Sequence, residues 1–189
     1  MHSASPSLSD AEIAAIAARI DRPIVLVGLM GVGKSTVGRK LAALLKTDFV
    51  DADEAIETAA AMPISDIFES FGEDYFRDGE RRVIARLIEE RHGVIATGGG
   101  AFVHPETRAL VLASAIAVWI DCAIDTLVER TSRRDTRPLL KNGDPAEILT
   151  RLHGERAPYY GEAPIRVKGG DGPQLETALQ IIEAIERWL

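Results

Sequence analysis

Residues 28–35 read Gly28-Leu29-Met30-Gly31-Val32-Gly33-Lys34-Ser35, a G-x-x-x-x-G-K-[ST] pattern. It follows a short apolar run, Ile24–Val27, and precedes the helically spaced Val37, Leu41, Leu44 and Leu45. Between a strand and a helix, such glycines let backbone N–H groups converge on an anion, and the helix N-terminus adds its positive end. Lys34 is then placed to reach the β- and γ-phosphates, and Ser35 to offer its hydroxyl to Mg²⁺. The pattern implies a nucleoside triphosphate site, with Gly31, Val32, Gly33, Lys34, Ser35 and Thr36 as its candidate residues.

A second group, Phe49-Val50-Asp51-Ala52-Asp53, ends an apolar run with two carboxylates. On an extended segment, residues i and i+2 project to one face, so both can enter one site. Mg²⁺ held with a nucleotide takes one or two protein carboxylates, which leaves the other for an acceptor hydroxyl. The competing reading is a helix start, because Asp51-x-x-Glu54 has the form of a capping box. The chain has no guanine-reading N-K-x-D; Lys141-Asn142-Gly143-Asp144 carries these residue types in another order. Ile116–Ile120 with Asp121 imitates half of the acidic strand end of a motor ATPase, but Asp121 reads better as the cap of a helix beginning near Ala123. A small-molecule kinase is the class that remains.

The elements that must position these groups follow an α/β alternation. Short apolar runs at Ile24–Val27, Phe49–Val50, Val94–Ala96, Ile116–Ile120 and Ile165–Val167 are separated by amphipathic helical stretches. Strands apolar on both faces, with helices between them, form a parallel sheet covered on each side. Ser9-Asp10-Ala11-Glu12 has the form of a capping box and starts a helix through Ile20, after a frayed stretch at 1–8. Residues 62–82 insert extra helical material between the second and third strands. Residues 133–144 are polar and lead into the helix start Asp144-Pro145-Ala146-Glu147, and Leu175–Leu189 has the pattern of a closing helix. In such sheets ligands sit at the carboxyl ends of the strands, where insertions serve capture and closure.

The 189 residues include 22 Lys+Arg and 29 Asp+Glu, a net charge of −7, and 17 of those cations are arginine. An acidic balance argues against nucleic acid as a partner. No apolar stretch reaches membrane-spanning length, and the start of the chain lacks an export signal, so no membrane partner is expected. The single Cys122 cannot form an internal disulfide, and the four histidines have no zinc-ligand spacing, which fits a reducing cytoplasm. One domain spanning 1–189 is the expectation.

Taken in order, GLMGVGKSTVGRKLA, FVDADEAIE, FGEDYFRDGE, ATGGGA, RTSRRDTRPLL and ERAPYY closely resemble the shikimate kinase family, over residues 24 to about 168. The resemblance implies ATP-dependent phosphorylation of the 3-hydroxyl of shikimate, with Mg²⁺, on the way to chorismate and the aromatic amino acids. It implies a three-layer α/β fold of the nucleoside monophosphate kinase type, with a central five-stranded parallel sheet. It divides the chain into an extension at 1–21, a substrate-binding insertion at about 62–92 and a lid at about 131–144. A monomer is expected.

By position, the resemblance places Ser35 and Asp51 near Mg²⁺ and gives catalytic roles to Lys34, Asp53 and Arg137. Asp53 would bind shikimate hydroxyls and accept the 3-hydroxyl proton, while Arg137 would reach the transferring phosphates from the lid. Arg77 and Arg156 would hold the substrate carboxylate, Gly98, Gly99 and Gly100 would let the backbone approach the ring, and Arg130 would lie beside the adenine. Residues 168–173 (KGGDGP) are expected to form a loop. A bidentate fork suits a carboxylate, which supports the two arginines independently. Against them stand an exposed helical setting for Arg77, with Glu80 and Arg81 nearby, and a helix-terminal role for Arg156. Gluconate or a nucleoside monophosphate as acceptor, and a nucleotide-binding regulator without catalysis, are the competing functions.

Overall fold

The computed structural model describes residues 8–132, 143–170 and 172–189. Five parallel strands, β1 (Ile24–Val27), β2 (Phe49–Asp51), β3 (Val94–Ala96), β4 (Ile116–Asp121) and β5 (Ile165–Lys168), form one sheet in the order β2-β3-β1-β4-β5. The helices are α1 (Asp10–Arg19), α2 (Lys34–Leu45), α3 (Ala52–Ala60), α4 (Ile64–Phe71), α5 (Glu73–Glu89), α6 (Pro105–Ser114), α7 (Ile124–Ser132), α8 (Pro145–Tyr160) and α9 (Gln174–Trp188). Helix α2 packs with α9, α1 and β3, whereas α5 packs with α3, α4 and α6, and α6 reaches β4.

Burial explains the strand pattern. All four residues of β1 and all three of β3 are buried, as helix-covered central strands require. The edge strand β5 alternates instead, with Ile165 and Val167 inward and Arg166 and Lys168 outward. Each Leu or Ile fully buried here, such as Leu26, Ile95 and Ile116, contributes about 1.5–3 kcal/mol. Helix α1 starts as its sequence requires: Ser9 Oγ accepts the Glu12 N–H at 3.3 Å, and Glu12 Oε2 accepts the Ser9 N–H at 2.7 Å. Its Ile13 and Ile16 are buried against the core.

Register sets the location of the chemistry. Asp51 is level with Ala96 across β2–β3, and Ala96 with Leu26 across β3–β1. The chain therefore leaves three adjacent strands at one edge, into Asp51-Ala52, Thr97-Gly98 and Gly28. At the opposite edge the chain enters β2 and β3 through Asp48 and Gly93. Asp48 Oδ1 accepts the Gly93 N–H at 2.7 Å and Oδ2 meets His92 Nδ1 at 2.5 Å, while His92 Nε2 lies 3.0 Å from Glu90 Oε2. The Gly93 N–H and then His92 hold the Asp48 carboxyl below its usual range, and the Asp48 hydrogen bond raises the His92 pKa. Among the described residues, no helix is long and apolar enough to cross a membrane.

Candidate active site

The phosphate loop is shaped by local backbone. Gly33 takes φ +91° as the residue before α2, a left-handed conformation that a side chain would strain. Lys34 is 9% exposed, and its Nζ donates to the carbonyls of Gly28 and Leu29 at 2.6 and 2.9 Å. The ammonium is thus held on the rim of this loop. Ser35 Oγ donates to Asp51 Oδ2 at 2.6 Å.

Asp51 caps a helix with one carboxylate oxygen and faces the phosphate loop with the other. Oδ1 caps α3 by accepting the N–H groups of Asp53 and Glu54, at 2.9 and 3.3 Å, and Oδ2 receives Ser35. The expected common strand face is corrected, because β2 ends at Asp51 and Asp53 lies in the first turn of α3. Asp53 still lines the cleft, delivered by a helix whose start Asp51 fixes. Burial pushes its pKa up, and the neighbouring Asp51 adds to this, while Lys34 and Arg77 oppose it.

The three glycines after β3 each face a different charged side chain. A Cβ placed on Gly98 would lie 2.8 Å from Asp53 Oδ1, one on Gly99 would lie 3.0 Å from Arg156 Nη1, and one on Gly100 would collide with the Arg77 guanidinium. A side chain on this turn would have to displace one of these charged groups, and the turn brings Asp53, Arg77 and Arg156 together from α3, α5 and α8. The Gly99 position also lies 3.6 Å from the Met30 amide nitrogen, against the phosphate loop. A cleft of about 420 Å³ runs past Gly31, Gly33, Lys34, Ser35, Thr36, Asp51, Asp53, Gly98, Gly99 and Arg130.

Arg77 does pair with Glu80, but the pair is buried and not exposed. Nη1 lies 2.7 Å from Glu80 Oε1, and the two side chains are 18% and 2% exposed. Burial dominates the Glu80 carboxyl and raises its pKa to about 7, against the pull of Arg77. Arg156 is not in the last turn of α8, so a dipole role is not what places it. Val32 turns its side chain into the core, and its carbonyl accepts Arg130 Nη1 at 3.2 Å. Arg130 also donates to the carbonyl of Gly170 at 2.5 Å, which ties the phosphate loop to the loop before α9. Arg137 and most of the expected lid lie outside the described residues.

Asp121 is neither a cap nor a cleft acid. Its carboxylate accepts Arg166 Nη2 at 2.5 Å and faces His153 Nε2 at 3.4 Å, and Arg166 also lies over the Trp119 ring. Three residues that sequence reasoning passed over belong to the site. Glu80 was visible as a helical neighbour of Arg77 and as the end of the FGEDYFRDGE run, with no role attached. Gln174 lines the cleft beside Gly33, and Tyr160 donates to the Gly99 carbonyl. Both depend on contacts distant in sequence, which no local signal encodes.

The shikimate kinase family model matches residues 30–186. A shikimate kinase of Novosphingobium aromaticivorans is 60% identical over 186 residues, covering 96% of each chain. The chain belongs to the shikimate kinase family. It is an ATP-dependent enzyme that phosphorylates shikimate. The solved shikimate kinase of Acinetobacter baumannii in complex with shikimate superposes with a TM-score of 0.84 at 36% identity, covering 91% of this chain and 97% of that one. A gluconokinase of Sinorhizobium meliloti matches at 18% identity and a TM-score of 0.63, over 90% of this chain and 94% of that one. That second likeness is one of fold, and it gives no support to gluconate as the acceptor.

Proposed function

We propose that this shikimate kinase transfers the γ-phosphoryl group of ATP to the 3-hydroxyl of shikimate, with the roles distributed as follows. The phosphate loop from Gly31 to Thr36 cradles the triphosphate, and Lys34 moves its donors from the Gly28 and Leu29 carbonyls to phosphate oxygens. Arg77 and Arg156 grip the shikimate carboxylate through bidentate pairs, and Gly98–Gly100 let the ring approach the backbone. Asp53 orients the attacking hydroxyl. As the oxygen bonds to the γ-phosphorus and the bond to the ADP oxygen breaks, the hydroxyl proton passes to the Asp53 carboxylate. A raised Asp53 pKa suits that acceptor role.

Ser35 and Asp51 fit Mg²⁺, because a hydroxyl and a carboxylate 2.6 Å apart beside the phosphate loop offer hard oxygen donors. When bound, the ion neutralises charge on the phosphate oxygens. Arg130 would flank the nucleotide and Arg137 would reach the phosphates, the latter from residues outside those described. The observation that carries this reading is the convergence of Asp53, Arg77 and Arg156 on three successive glycines beside the phosphate loop. Coupled ADP-release assays across shikimate, gluconate and nucleoside monophosphates test it, with the product position assigned by phosphorus NMR. Turnover with shikimate alone, giving the 3-phosphate, is expected; phosphorylation at another hydroxyl would overturn the assignment.

A further inference from the structure

We propose that Tyr160 is a positioning residue for carboxylate recognition, its hydroxyl locking the Gly99 carbonyl so that the Arg156 guanidinium keeps its seat on the glycine turn. The proposal rests on the reading that Arg156 holds the substrate carboxylate. Tyr160 closes the last turn of α8, is 1% exposed, and donates from Oη to the Gly99 carbonyl oxygen at 2.5 Å. Arg156 stands one turn earlier on the same helix, so the two side chains share a face. They meet the same residue from two directions: Arg156 Nη1 covers the place of an absent Gly99 side chain, while Tyr160 fixes the Gly99 carbonyl.

The helix itself needs such a tether. Pro158 lies inside α8, between Arg156 and Tyr160, and has no N–H to donate to the Gly154 carbonyl one turn back. The helical turn that carries Arg156 is thus one backbone hydrogen bond short. Tyr160 supplies a replacement tether, made to the site and not to the helix. Its ring packs against Trp119 of β4 at 5.8 Å between centroids, a core contact separate from the hydroxyl. Burial raises the phenol pKa, against the pull of Arg156, so the hydroxyl remains a donor through the neutral range. The phosphate loop has its own bracing in the Lys34 contacts with Gly28 and Leu29, so loss of the phenol should be felt on one substrate only.

The test compares Tyr160→Phe, Arg156→Lys, their double variant and Trp119→Phe by steady-state kinetics in both substrates and by thermal melting. Tyr160→Phe should raise the shikimate KM roughly five- to tenfold, as loss of one buried hydrogen bond allows, with kcat and the ATP KM within about twofold. In the Arg156→Lys background the same change should add less than about twofold, because the phenol acts through the guanidinium. Trp119→Phe should lower the melting temperature and leave the shikimate KM in place. An unchanged shikimate KM in Tyr160→Phe, with a raised one in Arg156→Lys, overturns the proposal and keeps the reading of Arg156. An unchanged KM in Arg156→Lys removes that reading and the proposal with it. Equal effects in both backgrounds, a matching rise in the ATP KM, an equal shikimate effect of Trp119→Phe, or failure of Tyr160→Phe to fold would make the phenol a structural element and overturn the proposal.

Discussion

The two edges of the sheet place carboxylates and cations at equivalent points of the chain and use them differently. At the amino edge, Asp48 bonds the Gly93 amide and His92, and His92 also meets Glu90, so neighbouring groups answer one another across the starts of β2 and β3. At the carboxyl edge, Asp53 is pushed toward protonation by burial and by Asp51, and Lys34 rests on backbone carbonyls. The first arrangement lowers a carboxyl pKa and favours folding, whereas the second raises one and opposes folding at neutral pH. Paired charge contributes stability at the amino edge, whereas at the carboxyl edge a buried carboxyl is held against ionisation beside a cation seated on the loop.

Asp53→Asn should separate the two edges most sharply. Its kcat should fall by roughly 10²–10⁴, the range for a lost general base, while ATP affinity stays within about twofold by calorimetry. Because the folded pKa of Asp53 is raised, removing its charge should leave the melting temperature equal or higher. A falling melting temperature would make this edge as structural as the other.

Gly100→Ala comes next, since its Cβ would collide with the Arg77 guanidinium held by Glu80. The shikimate KM should rise at least tenfold, on the order of losing a charged hydrogen bond, and Arg77→Lys should raise it in the same direction because a point cation lacks the fork. Normal kinetics in both variants would remove Arg77 from carboxylate binding.

A smaller effect concerns pH. The Glu80 pKa rises from 4.5 to about 7 on folding, so the folded state binds more protons between those values and this group's stability contribution falls as pH rises through them. Melting temperatures across that window should show the downward contribution in the wild type and lose it in Glu80→Gln; an unchanged slope would take Glu80 out of the titration. The amino edge should give the smallest kinetic response. Asp48→Asn is expected to cost about 0.5–1.5 kcal/mol, as for one or two part-exposed hydrogen bonds, with kcat and both KM values unchanged. The sign there combines two groups: Asp48, with its lowered pKa, loses its contribution as pH falls through the folded value, and His92, with its raised pKa, loses its own as pH rises through the folded value.

Much of the carboxyl edge was legible because its parts are contiguous. The phosphate loop is a single run between a buried strand and a helix, and the five strands announce themselves as apolar stretches. Asp53 lines the cleft, though from a helix and not from the expected strand face: the length of β2 is set by its pairing with β3, so its end at Asp51 is a tertiary outcome. Asp121 was misread because its partners, Arg166 and His153, arrive from β5 and α8. Arg77 with Glu80 looked like a surface pair, since i, i+3 spacing says nothing of which face is covered. Tyr160 stood in the ERAPYY run that carries the resemblance, but no local pattern announced that its hydroxyl reaches a glycine carbonyl on another element.

Gly98, Gly99 and Gly100 are each only half-buried, and positions of that kind ordinarily accept many residues. Here the volume of three missing side chains is already filled by Asp53, Arg156 and Arg77. A saturation scan of the turn should therefore find intolerance unrelated to solvent exposure, with alanine harmful at positions that leave room for solvent but none for a methyl group. Selectivity in this stretch resides in a mould, and its most informative residues are those that bring nothing into it.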